Sequence, residues 1–386
     1  MLNLEQQLDE ILSKNIESAI NRQKELFGEK IAKCGERYIL FGAGHLGRVT
    51  LSGLRKAGIE PLAFADNNPK AWNTKVEGLL VLSPQDAARQ YSHDAVFVVT
   101  VYTSQPVWEQ LTSMGLNVVS FAELAWMYPQ ALTPHGGVER PHKIYDQADD
   151  VRRAFSLWAD ETSRQEYVGQ LNWQTSLDRS TLPPHLPQKE IYFADDSIAG
   201  DTEEVFVDCG AFDGDSVEEF INRRGSSFQK IIAIEPDPAN CKAFEARISK
   251  LPPEIKDRIQ VIQSAAGSKR STVTFNATGT AGSAIGAGSY QVETMPIDEL
   301  LASITPTYIK MDIEGAEPDA LRGASKTIAK RAPVLAICLY HSLEHLWQIP
   351  LLIQSLNNEY KFFLRRYADE CWEIVCYAVP VNRLAG

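Results

Sequence analysis

Basic residues are in short supply in this chain. Its 38 Lys and Arg face 50 Asp and Glu, a net charge of −12. That balance excludes a broad electrostatic footprint on nucleic acid, which needs a basic face. No apolar run is long enough to span a bilayer. The first thirty residues are charged throughout and hold no apolar core of signal-peptide length. The six cysteines (34, 209, 241, 338, 371 and 376) form no CxxC pair. Several lie in apolar, strand-like runs where cysteine behaves as a small buried hydrophobe. They read as reduced thiols, and the expected location is the cytoplasm, with neither membrane nor nucleic acid as partner. There is no low-complexity tract and no internal repeat beyond the recurrence of two α/β units.

What is present is an ordinary soluble composition, 44% apolar and 23% charged, over 386 residues. That is too long for one core and predicts at least two domains. Leu4, Leu8, Ile11, Leu12, Ile16 and Ile20 recur at helical spacing, so residues 1–30 read as an amphipathic helix. Residues 31–132 alternate strands (Tyr38–Phe41, Pro61–Ala65, Ala95–Val101, Asn117–Ser120) with helices, the rhythm of a Rossmann-like, nucleotide-binding-type domain. Residues 133–200 read as a helical linker, helical over Val151–Leu171, with an arm broken by Leu182-Pro183-Pro184. Residues 201–386 form a second α/β domain, with strands at Glu204–Asp208, Lys230–Glu235, Ile259–Gln263, Thr307–Met311, Val334–Leu339, Tyr360–Arg365 and Glu373–Ala378. Thr272–Asn276 and Gln291–Thr294 read as an inserted hairpin.

Three stretches of the second domain carry chemistry. In Val207-Asp208-Cys209-Gly210-Ala211-Phe212-Asp213-Gly214 a buried strand enters a loop with two glycines, at the carboxyl end of the first strand, where open parallel sheets bind ligands. Asp208 cannot be an unpaired core charge. Ile234-Glu235-Pro236-Asp237-Pro238 places an acid at the next strand end, 21 residues past Gly214, able to accept both ribose hydroxyls of a nucleoside. Lys310-Met311-Asp312-Ile313-Glu314-Gly315-Ala316-Glu317 delivers three carboxylates to the sheet edge. His341-Ser342-Leu343-Glu344-His345 fits an H-x-x-E-H spacing, but no third zinc ligand is evident; His341 is read instead as a base beside the sheet edge.

As a set, these segments resemble the FkbM-type methyltransferases, together with Leu321-Arg322-Gly323-Ala324, Leu339-Tyr340-His341 and the closing Tyr377-Ala378-Val379-Pro380, over about residues 190 to 380. The resemblance implies a class I, Rossmann-like seven-stranded sheet with an antiparallel last strand. It implies S-adenosylmethionine as methyl donor, held by Asp208, Gly210, Phe212, Asp213, Gly214, Glu235, Pro236 and Ala265. Asp312, Glu314 and His341 are then the expected catalytic residues, with no metal, although Asp312, Glu314 and Glu317 offer oxygens suited to Mg²⁺. The expected acceptor is a hydroxyl on a sugar, a nucleotide-sugar or a natural product.

In the first domain, Gly42-Ala43-Gly44-His45-Leu46-Gly47 is a G-x-G-x-x-G between a strand and a helix, and Asp66 follows 19 residues after Gly47. The stretch through Asp66-Asn67-Asn68-Pro69 resembles the small nucleotide-sugar-binding domains of some sugar-modifying enzymes. Gly42, Gly44, His45, Gly47 and Asp66 are therefore nucleotide-binding candidates. The same loop keeps two rivals open: an NAD-dependent sugar oxidoreductase and a non-catalytic nucleotide-binding protein. Ala277–Ser289, rich in glycine and small residues, reads as a lid, and a homo-oligomer is an open expectation.

Overall fold

The computed structural model describes residues 2–133, 135–194, 196–276, 284–286, 288 and 290–385. The chain divides into two compact α/β units. One comprises Met1–Ala148, Gln165–His185 and Ala368–Trp372; the other comprises Asp149–Arg164, Leu186–Tyr367 and Glu373–Gly386. The stretch 133–200 is thus shared between them.

In the first unit, β1 (Tyr38–Phe41), β2 (Ala63–Ala65), β3 (Lys75–Val76), β4 (Leu79–Leu82), β5 (Val96–Val99) and β6 (Val118–Ser120) form one sheet in the order β3-β4-β2-β1-β5-β6. All pairings are parallel except β3 with β4. Strands β1, β2, β5 and β6 are buried along their whole length, as their unbroken apolar runs require. The β3–β4 hairpin was not foreseen: its strands are short and half exposed, with no long alternation to mark them. The amphipathic N-terminus is two helices, Leu4–Leu12 and Ile16–Ile31, because the Asn15 side chain accepts a hydrogen bond from Glu17 N and starts the second. Likewise the helix expected over Val151–Leu171 is two, Ala148–Phe155 and Glu161–Ser176. The Asp160 carboxylate accepts from Ser163 N and opens the second of these.

In the second unit, β7 (Val205–Cys209), β8 (Lys230–Ile234) and β9 (Ile259–Ile262) precede an insertion of β10 (Ala265–Ala266), β11 (Ser271–Asn276), β12 (Ala284–Ile285) and β13 (Tyr290–Met295). Then follow β14 (Tyr308–Met311), β15 (Val334–Cys338), β16 (Tyr360–Arg366) and β17 (Ile374–Pro380). The main sheet has seven strands in the order β16-β17-β15-β14-β7-β8-β9, and β17 runs antiparallel to both its neighbours. This is the expected seven-stranded arrangement with its antiparallel last strand. The insertion is the expected hairpin, β11 against β13 with Thr272 opposite Glu293, flanked by β10 and β12. Of the expected lid, residues 277–283, 287 and 289 lie outside the described residues.

The core beneath the sheet is aromatic. Phe206 stacks on Phe220 with ring centroids 4.7 Å apart, and Phe193 and Tyr308 close around them. Each such ring removes 150–250 Å² from water, roughly. This packing fixes β7 and β14 side by side, so that their carboxyl ends deliver side chains to one place.

Candidate active site

The register of β14 on β7 sets Lys310 opposite Asp208, and Met311 opposite Cys209. Both charges are buried: Lys310 Nζ lies 2.9 Å from Asp208 Oδ1 and donates to the Gly210 carbonyl at 2.8 Å. The Ser216 hydroxyl donates to Asp208 Oδ2. Burial pushes the Asp208 carboxyl up, and Lys310 holds it back. Burial also works against the Lys310 ammonium, but Asp208 and Asp312 outweigh it and raise its pKa. Asp208, expected near the donor, is fully buried between Lys310 and Ser216 and is not among the residues that line the cavity described next.

The ends of β7, β8 and β14 open on a cavity of 230 Å³. Gly210, Phe212, Glu235, Pro236 and Ala265, all foreseen, line one side, with Asn240 added. Glu235 Oε2 accepts from Phe212 N at 3.0 Å, and Oε1 accepts from Asp237 N at 2.9 Å and Asn240 Nδ2 at 3.3 Å. Burial raises the Glu235 pKa, and these donors restrain the rise. A carboxylate oxygen has about two acceptor positions, so Oε2 keeps one for a hydroxyl in the cavity. Asp237 caps the helix Pro238–Ile248 by accepting from Ala239 N.

Two foreseen residues act elsewhere. Asp213 pairs with Arg247 away from the cavity. Gly214, at φ 91°, starts the helix Asp215–Arg224, where a Cβ would come 2.8 Å from the Phe244 ring. Gly210, at φ 78°, is needed because a Cβ there would collide with the Asp312 carbonyl. Its missing side chain admits β14's loop rather than a ligand.

The other side is lined by Tyr192, Lys310, Asp312, Glu314, Tyr340 and Glu373. Asp312 Oδ2 accepts from the Tyr192 hydroxyl at 2.7 Å, and Oδ1 from the Tyr340 hydroxyl at 3.0 Å. Burial pushes the Asp312 carboxyl up, but His341, Lys310 and these hydroxyls bring it below the usual range. Burial leads Glu314 up to about 7 and, with the neighbouring Asp312, Glu373 up to about 8.

Because β14 and β15 are adjacent and parallel, His341 comes beside Asp312. Its Nε2 is 3.3 Å from Asp312 Oδ1, and its Nδ1 is 2.9 Å from Glu317 Oε1. Burial works against the imidazolium, but Glu317, Asp312 and Glu314 outweigh it and raise the pKa to about 10. His341 was expected as a base facing the acceptor. It stands behind Asp312, its side chain 5% exposed, and does not line the cavity. His345 turns to the same Glu317, Nδ1 to Oε2 3.6 Å, which accounts for the histidine spacing without a zinc site.

In the first unit, Asp66 Oδ2 accepts from Ala43 N at 2.9 Å and Oδ1 from Asn68 N at 2.8 Å. Gly47 lets the helix His45–Lys56 approach, since a Cβ there would meet the Gly42 carbonyl. Gly42 itself adopts φ 115°. Gly44 and His45 are exposed at the helix start; nothing lies within 4 Å of a Cβ built on Gly44, and the His45 ring centroid is 6.2 Å from that of His135.

Residues 208–371 match the family model of the methyltransferase FkbM domain, and residues 34–119 that of a C2185-like N-terminal domain. No curated protein matches. The crystal structure of methyltransferase FkbM from Methylobacillus flagellatus KT is similar at TM-score 0.73 and 21% identity, covering 94% of this chain and 99% of that one. It shares the fold over nearly the whole length. Precorrin-6y C5,15-methyltransferase from Geobacter metallireducens GS-15 aligns at TM-score 0.31 and 10% identity, over 47% of this chain and 83% of that one. UDP-D-quinovosamine 4-dehydrogenase from Vibrio fischeri aligns at TM-score 0.20 and 20% identity, over 25% of this chain and 86% of that one.

Proposed function

We propose, from the premise of an FkbM methyltransferase domain at residues 208–371, that this chain transfers a methyl group from S-adenosylmethionine to a hydroxyl on a sugar, nucleotide-sugar or natural product. The observation that carries the reading is one cavity bearing Glu235 on one side and Asp312 on the other. Glu235 Oε2 receives the ribose hydroxyl. Phe212, Pro236 and Ala265 enclose the nucleoside. The donor, when bound, supplies an electrophilic methyl on sulfur.

The acceptor hydroxyl hydrogen-bonds to the acidic side made by Asp312, Glu314 and Glu373. Tyr192 and Tyr340 hold Asp312 still, and His341 backs it. Methyl transfer is a displacement at carbon, so alignment dominates the barrier, and effective molarities of 10⁵–10⁸ M set the scale of what positioning supplies, roughly. As oxygen bonds carbon and the carbon–sulfur pair leaves with sulfur, the hydroxyl proton passes to the carboxylate side. Glu314 and Glu373, with pKa values of about 7 and about 8, are matched to that task near neutral pH.

The front unit supports a second element of the proposal, a grip on the nucleotide of a nucleotide-linked acceptor. The space in front of Gly44 and the amides opening the helix His45–Lys56 suit a pyrophosphate. The deciding experiment incubates the full chain with methyl-labelled S-adenosylmethionine and panels of sugars, nucleotide-sugars and polyketide alcohols. Label in an ether product is expected. No label and no binding of S-adenosylhomocysteine, with tight binding of NADH, overturns the reading in favour of an oxidoreductase.

A further inference from the structure

Five of the six charged side chains that line the cavity are acids: Asp215, Glu235, Asp312, Glu314 and Glu373. The sixth, Lys310, is already held by Asp208 and the Gly210 carbonyl. The other nearby cation, the His341 imidazolium, lies between Asp312 and Glu317, with Glu314 Oε2 3.9 Å from its Nε2. Asp215 accepts from Ser216 N, and Glu235 from Phe212 N and Asp237 N. Glu373 differs from all of these. Among the described residues its carboxylate has no hydrogen bond and no ion pair, although it is half-buried. Its backbone is fixed at φ 53°, where residues other than glycine are uncommon, by the hydrogen bond from Tyr367 N to its carbonyl at 3.0 Å and by β17 starting at the next residue. Facing the carboxylate are Lys310 and Asp312 from β14 and its loop, Cys338, Tyr340 and His341 from the end of β15, Tyr192, and Asp215 at the head of its helix. Burial and the charge of Asp312 raise the Glu373 pKa to about 8, and His341 and Lys310 restrain the rise. A carboxyl so placed keeps its proton until a cation arrives.

We propose that Glu373 is the counterion of the donor's sulfonium, and that through it the cavity distinguishes S-adenosylmethionine from S-adenosylhomocysteine. This deepens the methyl-transfer reading and rests on it. The two molecules share nucleoside, amine and carboxylate, and differ by one methyl group and one positive charge. With the ribose on Glu235 and the methyl pointing at the acidic side, the sulfonium lies between them and faces the wall that carries the unmatched acid. Its arrival drives the Glu373 proton into solvent. An opposite charge at about 4–6 Å lowers a carboxyl pKa by about 1 to 3, and reciprocity makes the gain in the cation's affinity about 10- to 1000-fold.

Transfer then reverses the charge balance. The acceptor oxygen bonds the methyl carbon, the carbon–sulfur electron pair stays with sulfur, and the sulfonium becomes a neutral thioether. Glu373, left without a cation, takes the proton as the acceptor's O–H bond breaks. S-adenosylhomocysteine then stands beside a protonated acid that offers no charge to hold it. The next donor expels that proton, so one proton leaves for each methyl group moved and the cycle closes.

The test is calorimetry of the full chain with S-adenosylmethionine and with S-adenosylhomocysteine, on both sides of the Glu373 pKa of about 8. The wild type is expected to prefer S-adenosylmethionine. Glu373→Gln keeps the shape and removes the charge, and at high pH is expected to lower that preference at least ~10-fold by weakening S-adenosylmethionine alone. The difference between the two chains should narrow as pH falls, because Glu373 is then protonated in the wild type as well. Comparing the chains at each pH cancels the donor's own titration. Glu373→Asp keeps the charge and is expected to retain more of the preference than Glu373→Gln. Glu299→Gln, at an exposed pair with Arg270, should change nothing. Melting curves confirm that each variant is folded. An unchanged preference in Glu373→Gln, with both ligands still bound, overturns the counterion and leaves the methyltransferase reading standing. Equal weakening of both ligands also overturns it, since charge is then not what Glu373 contributes. Binding of neither ligand to the wild type defeats the methyl-transfer reading and the counterion with it.

Discussion

Lys310 of β14 stands opposite Asp208 of β7, Nζ to Oδ1 2.9 Å, with both side chains removed from solvent. Breaking one partner of a buried pair leaves an uncompensated charge, whereas replacing both by apolar residues is far milder. Lys310→Met is therefore expected to cost about 3–5 kcal/mol in urea unfolding. Asp208→Leu with Lys310→Met together should cost less than Lys310→Met alone. A double variant as unstable as the sum of the singles would mean that the pair contributes through something other than its charges.

That pair also marks how far the sequence could be read. A charge inside the apolar run Val205–Cys209 called for a partner, and Lys310, inside Tyr308–Met311, supplies it. Joining them needs the strand register, which sequence alone does not give. Asp312 and His341 were placed on adjacent strand ends, because both follow unbroken buried strands. Tyr192 was invisible: it lies in an arm with no periodicity and reaches Asp312 across 120 positions. Glu373 was read as part of a strand, yet it precedes β17, at φ 53°, and lines the cavity. Glycine spacing was legible but its reasons were not. Gly210 and Gly214 make room for Asp312 and Phe244.

Donor affinity should depend on Glu235 more than on any other single carboxylate. Its Oε1 is fully engaged by Asp237 N and Asn240 Nδ2, which fixes the carboxylate for whatever meets Oε2. Glu235→Ala is expected to weaken S-adenosylhomocysteine binding by about 1.5–3 kcal/mol, the scale of hydrogen bonds to a charged group. Isothermal calorimetry on the full chain measures it. Unchanged affinity would move the nucleoside away from this side of the cavity.

Asp312 should separate turnover from binding. Asp312→Asn keeps the shape but removes the charge that Tyr192 and Tyr340 hold in place. Turnover is expected to fall about 10²- to 10⁴-fold, with S-adenosylhomocysteine affinity within a factor of about two. A matching loss of donor affinity would place Asp312 in the donor's own contacts.

Acid stability should carry the signature of Asp160. Arg365, nearly buried, donates to Asp160 Oδ2 at 2.7 Å, and Ser163 N donates to Oδ1 at 2.8 Å. Burial pushes the Asp160 carboxyl up, but Arg365 and Ser163 outweigh it and the net direction is down. A depressed carboxyl adds stability above its unfolded pKa of about 3.9, lost as pH falls through the lower folded value. Asp160→Asn should cost on the order of 1 kcal/mol at neutral pH, toward the low end because the carboxyl is partly solvated. The cost should vanish well below pH 3.9, roughly. Unfolding midpoints across that range measure it, and a cost independent of pH would assign the effect to packing.

Gly47 and Gly44 belong to one loop yet should respond to substitution in opposite ways. A Cβ on Gly47 would collide with the Gly42 carbonyl, so Gly47→Ala forces the helix His45–Lys56 off β1. Overpacking of this kind costs about 1–3 kcal/mol, more than the roughly 1 kcal/mol of helix propensity that alanine returns. Gly44 has φ −78° and ψ −157°, an extended conformation that a β-branched residue adopts readily, and nothing within 4 Å of its Cβ position. Gly44→Val should therefore leave thermal stability within about 0.5 kcal/mol of wild type. Its added methyl groups occupy the space a pyrophosphate needs to reach the amides at the helix start. If the front unit grips a nucleotide-linked acceptor, Gly44→Val raises the KM for that acceptor and leaves S-adenosylhomocysteine affinity unchanged. Binding of UDP-, GDP- and dTDP-sugars to the full chain, followed by calorimetry in wild type and Gly44→Val, reads the difference directly. Nucleotide-sugar affinity that Gly44→Val does not alter would remove the glycine loop from the acceptor's path and leave its tight Gly42–Gly47 contact as a purely structural joint.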